Sequence, residues 1–289
     1  MPFQITPPNR HIPVESLTHA SFSSFGTVIQ NPAHAPTEAP KNIQAVPANQ
    51  GSAVKYVDVS YLTNDYHVAP SRKPARAVMN MFVSSPRSLK ASSSTSEKTV
   101  FPVQILERHP YTPQTFIPMG LAGDDSSTSY LVIVAPTLPA SSRTAEGKTR
   151  PKPYPAEAPK RGRSIRDIFT RARPTPFTNT HEPPARQASH HQTGAMKPKG
   201  SGLPDLTQLR AFIANGSQAV TYGPGTWHAP MVVLGAKSVD FVVVQYANDV
   251  GREDCQEVEL QPEQGAEGLL VVIEKDSAGK LTTRANARL

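Results

Sequence analysis

The stretch NGSQAVTYGPGTWHAPMVVLGAKSVDFVVVQYANDVGREDCQE, residues 215–257, decides the fold. Gly223-Pro224-Gly225 joins positive-φ freedom to a proline and suits a chain reversal. Trp227-His228 follows at once, the single tryptophan beside a titratable, metal-capable side chain. Residues 231–234 and 241–246 are apolar runs too short for helices and rich in valine, so both read as strands. A histidine entering such a run is either packed core or part of a site, and the rest of the chain has to decide.

Working outward, 130–136 (YLVIVAP) reads as a strand buried on both faces. Residues 53–62 alternate apolar and polar in strand fashion, 77–83 read as a strand, and 269–273 (LLVVI) make a last one. Residues 205–215 fit a helix or the entry to a strand equally well. Leu17, Phe22 and Phe25 mark a short helix or turn before a strand, and 84–98 is a serine-rich exposed loop. About eight to ten short strands with little helix give an all-β class, an antiparallel β-barrel or sandwich.

Composition bounds the rest. Thirty prolines in 289 residues is about twice ordinary usage, and 37% hydrophobic content is low for a chain that is packed throughout. Residues 139–203 hold thirteen lysines and arginines against four acidic residues. That local excess of nine leaves the remainder at −2 although the chain totals +7. The basicity belongs to one low-complexity segment that cannot bury enough apolar surface to fold, so a nucleic-acid partner is not expected. Within it, 164–171 could form a transient helix. The expected organisation is one barrel split in two: 1–138, a disordered basic insertion at 139–203, the remainder at 204–275, and a polar tail at 276–289. One cysteine, Cys255, excludes an internal disulfide framework. Its flanking carboxylates should raise its pKa, against a nucleophilic role. No apolar run nears the roughly 20 residues of a membrane span, and no signal-peptide core is visible at the start.

The chemistry concentrates in two places. In 100–119, strand parity puts Val103, Ile105, Glu107 and His109 on one face, and Gln114 rejoins them after a proline bend. Glu107 and His109 lie about 7 Å apart along a strand, close enough to chelate one ion. Alternation in 227–234 encloses His228. Glu107, His109, Gln114 and His228 suit a borderline divalent ion such as nickel, zinc or manganese, with no organic cofactor required. The spacing resembles a degenerate cupin pattern: Glu107-x-His109-x4-Gln114-x5-Gly120, then Gly225-x-x-His228. A metal-free pocket using the same groups as acid, base and hydrogen-bond partners is the other reading. Either histidine alone would more often be a satisfied core residue, and Trp227 core rather than a ligand platform.

Residues 107–120 (ERHPYTPQTFIPMG), 203–235 and 239–260 together resemble the ureidoglycolate lyase family, and 48–59 and the basic insertion resemble its fungal members. The resemblance covers nearly everything outside 139–203. It implies a cupin-like barrel, a homodimer, an associated nickel or other divalent ion, and cleavage of (S)-ureidoglycolate to glyoxylate and urea in allantoin and purine degradation. On that footing His109 and His228 are the expected catalytic pair. Glu107 and Gln114 would complete the metal or substrate shell, and Lys55, Tyr222 and Trp227 would line the substrate. The alternatives are an amidohydrolase releasing ammonia and a catalytically silent binding module. The terminal Ala287-Arg288-Leu289 resembles a peroxisomal tripeptide, so the expected compartment is the cytoplasm or the peroxisome.

Overall fold

The structure, a computed structural model, describes residues 3–34, 43–91, 98–139, 199–275 and 281–282. Most of the insertion, the transient helix at 164–171, most of the polar tail and the terminal tripeptide lie outside them.

The strand Thr128–Ala135 organises the molecule. It pairs antiparallel with Arg210–Ala214 along one edge, and with Trp227–His228 and Val232–Gly235 along the other. Its residues are apolar at consecutive positions because both faces are covered. Leu131, Ile133 and Ala135 point into one core with Ile12, Leu106, Trp227, Val258 and Val271. Tyr130, Val132 and Val134 point into a second core with Phe22, Phe116, Phe212, Tyr222 and Phe241.

A twelve-stranded sheet curls round the first core. A five-stranded sheet closes over the second, in the order Gly26–Ile29, Ala219–Tyr222, Gln114–Met119, Val239–Ala247, Arg76–Ser84. The class is all-β and cupin-like, as expected, with a curled half-barrel as its main sheet. More strands form than the eight to ten expected, because several apolar runs break into short pieces. Most pairings are antiparallel, but Phe3–Ile5 runs parallel to Gln256–Leu260, and Arg10–Ser16 runs parallel to both Arg210–Ala214 and Leu269–Lys275. Parallel pairing needs long connections, and these N-terminal strands enter beside strands from the far end of the chain.

Several local outcomes follow from turn chemistry. Thr18 and Ser21 form a capping box that starts the helix His19–Phe22. Residues 205–215, ambiguous in sequence, become a 3-10 turn, Leu206–Gln208, followed by the strand Arg210–Ala214; the Asp205 side chain caps the turn by accepting from the Thr207 amide. The strand expected over 53–62 stops at Val57 and forms a separate hairpin with Gln44–Ala48. At the end of the stretch read as insertion, Gly202 and Leu203 are buried, and the Leu203 carbonyl accepts from the Leu138 amide at 2.8 Å. No helix among the described residues is long and apolar enough to cross a membrane.

Ile133 is fully buried on the central strand. Ile133→Ala should lower the unfolding free energy by about 2–5 kcal/mol in urea denaturation. Ile105→Ala, at a position 41% exposed, should change it by no more than about 0.5 kcal/mol.

Candidate active site

Register brings the site together. His228 lies opposite Val134 on one side and opposite Glu107 on the other. Directly opposed residues share a sheet face, so both point to the side of the second core. The five-stranded sheet supplies Gln114 and Tyr222, themselves a register pair. The Gly223–Gly225 turn is pinned by backbone bonds from Gly223 N to Phe25 O and from Gly225 N to His109 O, each 2.8 Å. Gly225 has φ +74°, a conformation L side chains rarely adopt, and an added Cβ would come 3.3 Å from Lys199.

Both imidazoles are buried with ring centroids 5.7 Å apart. His228 Nδ1 lies 2.9 Å from the Thr226 carbonyl and His109 Nδ1 lies 2.6 Å from the Asp254 carbonyl. A carbonyl only accepts, so each Nδ1 carries the proton and each Nε2 presents a lone pair. His228 Nε2 lies 3.0 Å from Gln114 Oε1 and 3.5 Å from Glu107 Oε1, while His109 Nε2 is buried with no hydrogen-bond partner. Gln114 cannot relieve this arrangement as placed, because its Nε2 donates to Gln245 Oε1 at 2.8 Å. Acceptor atoms thus converge with a proton or a cation needed between them.

Ligand atoms of Glu107, His109 and His228 all lie within 4.8 Å of one another. Two imidazoles with Nδ1 locked to backbone carbonyls, plus one carboxylate, have the donor types and outer hydrogen bonds of a divalent metal centre, and they fit such an ion.

The electrostatics agree with the geometry. Burial alone would raise the Glu107 carboxyl, but the hydrogen bond and charge of His228, with His109 and Cys255, hold it below its ordinary value. His109 is pushed down to about 4, first by burial and then by the charge on His228, so it is neutral at physiological pH. Burial, then the Glu107 and Glu257 carboxylates, pushes the Cys255 thiol well up. Its Sγ is 3.9 Å from Glu107 Oε2, a thiol contact rather than a nucleophile.

Of the expected residues, Glu107, His109, Gln114, His228 and Tyr222 are brought together. Tyr222 stacks on His228 at 3.9 Å and 8°, and burial raises its phenol well above the usual range. Trp227 is corrected: alternation sends it to the other face, into the first core, where the Arg108 guanidinium lies 4.5 Å over its ring and Gly202 O accepts from its Nε1. Lys55 is exposed on the separate hairpin and, among the described residues, makes no hydrogen bond or ion pair with the cluster. The face assignment around Glu107 changes too. The strand breaks between Pro102 and Ile105, so Val103 joins Leu106 in the first core instead of sharing a face with Glu107.

Sequence reasoning missed Gln245. Its signal was legible: in Val239–Ala247 the buried positions are Val239, Phe241, Val243 and Gln245, a lone amide on the core parity. It also missed the Asp254 carbonyl, which carried none.

A buried cluster of two imidazoles and a carboxylate between the sheets of a cupin-like fold defines a protein built for small-molecule chemistry. The family model described as ureidoglycolate lyase matches residues 9–267, and the chain belongs to that family. Relatives named ureidoglycolate lyase include one from Schizosaccharomyces pombe, 28% identical over 86% of this chain and 90% of its own length. One from Saccharomyces cerevisiae is 28% identical over 84% of this chain and 91% of its own. One from Burkholderia mallei is 25% identical over 82% of each.

Lys199 braces the turn: its Nζ donates to Thr226 Oγ1 at 2.7 Å and to Ser24 O at 3.0 Å. Burial lowers its pKa from 10.5 to about 8. Between those values the unfolded chain holds a proton that the folded one has lost, so this group makes stability rise with pH across that window and flat below it. Denaturation midpoints measured from pH 7 to 11 should gain on those of Lys199→Met between about 8 and 10.5, against the fall that the raised Cys255 thiol and Tyr222 phenol impose on both proteins.

Proposed function

We propose that this protein is a ureidoglycolate lyase, splitting (S)-ureidoglycolate into glyoxylate and urea. The observation that carries the reading is the partnerless, buried His109 Nε2 facing Glu107 and His228 at the family's motif positions. The substrate bears a hydroxyl and a ureido nitrogen on one carbon. Cleavage moves one proton from that oxygen to that nitrogen as the C–N bond breaks and the carbonyl forms, with no net proton consumed. Because both atoms sit on one carbon, a single imidazole between them can take the proton and return it. His109 Nε2 is the free nitrogen placed to do so. His228, its Nδ1 held by the Thr226 carbonyl, sets its Nε2 beside Gln114 Oε1 and Glu107 Oε1, where a shared proton or a cation joins the three, and the Tyr222 ring fixes the His228 plane.

Glu107, His109 and His228 would hold a divalent ion (nickel, zinc or manganese), with Gln114 beside them, and such an ion when bound would lower the pKa of the substrate hydroxyl. The ion and the free-base role of His109 use the same nitrogen, so chelation separates them. Purified protein should release urea and no ammonia from (S)-ureidoglycolate, and His228→Ala should lower kcat/KM by at least about 100-fold with an unchanged circular-dichroism spectrum. Ammonia release or near-normal turnover in that variant overturns the assignment. Activity that survives exhaustive chelation makes His109 the base; loss restored by one of the three ions assigns the centre to metal.

The second copy of a homodimer belongs, in this reading, on the outer face of the five-stranded sheet. The register rows Ile117–Val242–Met81 and Met119–Asp240–Val83 lie on that face. Met79 is 71% exposed, Met81 58% and Val83 69%. Arg76–Ser84 is an edge strand, so its free backbone groups and this apolar face suit a self-complementary two-fold contact. Sedimentation equilibrium should give a dimer, and Met81→Lys should give a monomer.

A further inference from the structure

A cavity of about 430 Å³ is lined by Arg76, Asn80, Gln245, Asp249 and Asp254 among others. Its polar groups are arranged by the ladder between the last two strands of the five-stranded sheet. Gln245 lies opposite Val78 and Ala247 opposite Arg76, while Asn80 lies opposite Val243. Arg76, Val78 and Asn80 therefore share the face that Gln245 occupies, with Arg76 and Asn80 diagonal to it on either side. Three side chains with N–H donors meet on one short stretch of sheet.

Each has donors to spare. Gln245 Oε1 accepts from Gln114, and the Gln245 NH2 makes no hydrogen bond among the described residues. Asn80 is exposed. Arg76 is the one cation among the lining residues, and it meets Asp249 through a single nitrogen at 3.4 Å in an exposed pair. A guanidinium has five N–H donors, so most of its fork is open to a second carboxylate. The acidic walls do not cancel this. Asp254 Oδ1 already accepts from Tyr66 Oη at 2.7 Å and from the Asn248 amide at 2.8 Å, and Asp249 is shared with Lys73 at 3.8 Å. The lining residue Gln245 is one hydrogen bond from Gln114, which itself lies 3.0 Å from His228 Nε2.

We propose that this cavity is the anion subsite of the enzyme, with Arg76 as counter-ion to the carboxylate of the substrate and Gln245 and Asn80 as flanking donors. The proposal rests on the ureidoglycolate reading for the identity of the anion but not for its chemistry. A 2-hydroxy or 2-oxo carboxylate anchored at Arg76 would extend its reacting carbon toward Gln114 and the imidazoles. An uncharged carbinolamide would lack that anchor.

The test compares Arg76→Ala and Arg76→Lys with the wild-type protein in three assays. With (S)-ureidoglycolate, Arg76→Ala should raise KM about 10- to 100-fold, the range for a hydrogen-bonded charged contact, with kcat little changed. Arg76→Lys should recover part of the loss, because a point charge replaces a fork. With N-(hydroxymethyl)urea, which has the same carbinolamide but no carboxylate, kcat/KM should be the same in wild type and Arg76→Ala. In calorimetry, oxamate should bind the wild type and bind Arg76→Ala more weakly by the factor seen in KM. An unchanged ureidoglycolate KM in Arg76→Ala overturns the subsite while leaving the lyase assignment standing. An equal loss with N-(hydroxymethyl)urea overturns it in favour of a structural role. Should the wild type fail to cleave ureidoglycolate, the lyase reading falls and the oxamate assay still decides: weakened binding in Arg76→Ala supports the anion site, and unchanged or absent binding overturns it.

Discussion

Burial of Thr128–Ala135 on both faces is the constraint from which the rest follows. A strand with no solvent on either side must satisfy its ladder with neighbours on both edges. Two short strands, Trp227–His228 and Val232–Gly235, share one of those edges, and backbone pairing fixes His228 opposite Val134. A slip of one residue would exchange the faces, sending Trp227 to the cluster and His228 into the first core. A large indole could not fill the place of an imidazole stacked at 3.9 Å on Tyr222. The apolar partition between the two cores therefore also selects the register that builds the polar site.

Placing a carboxylate and two imidazoles where little water reaches them is unfavourable unless each has a partner. Anchoring meets part of that cost. Both Nδ1 protons go to backbone carbonyls, and the loops that present those carbonyls are themselves held. Thr226 Oγ1 donates to Phe25 O at 2.9 Å, and the Asp254 side chain is fixed by Tyr66 and Asn248. The remaining imbalance is concentrated at one point, where His109 Nε2 and the oxygens of Glu107 and Gln114 face one another. Among the described residues Gln30 Nε2 is also buried without a partner, but His109 Nε2 is the one that faces a carboxylate and a second imidazole.

Much of this was legible in the residues. The apolar run at 130–136 announced a doubly covered strand, and Glu107, His109, Gln114 and His228 were visible as motif positions. The failures differ in cause, and the first is that sequence parity holds only inside an unbroken strand. The break between Pro102 and Ile105 reversed the face of Val103. Trp227 was placed at the site by its nearness to His228, although neighbours on a strand point to opposite sides. Lys55 was expected beside the substrate on the resemblance alone, and periodicity in 53–62 gave no hint that its strand lies in a hairpin of its own. The Asp254 carbonyl had no signal, because main-chain acceptors are common to every residue.

The placement of the basic segment is accounted for by the same pairing rules. Leu138 N donates to Leu203 O at 2.8 Å and Asp205 N to Pro136 O at 2.7 Å, with a bridge between Thr137 and Pro204. The two ends of the segment are thus hydrogen-bonded to each other, and its length is decoupled from the fold. Closing a longer loop costs only about 0.6 kcal/mol per doubling of its length. The last residues before Pro204 then do structural work: Lys199 braces Thr226, Gly200 O accepts from Arg108, and Gly202 O accepts from Trp227. One backbone bond, Gly225 N to His109 O, joins the turn they support to the strand that carries the other imidazole. The two histidines, 119 positions apart in the chain, are therefore held by one continuous set of main-chain contacts, and a displacement of the turn would be transmitted to both.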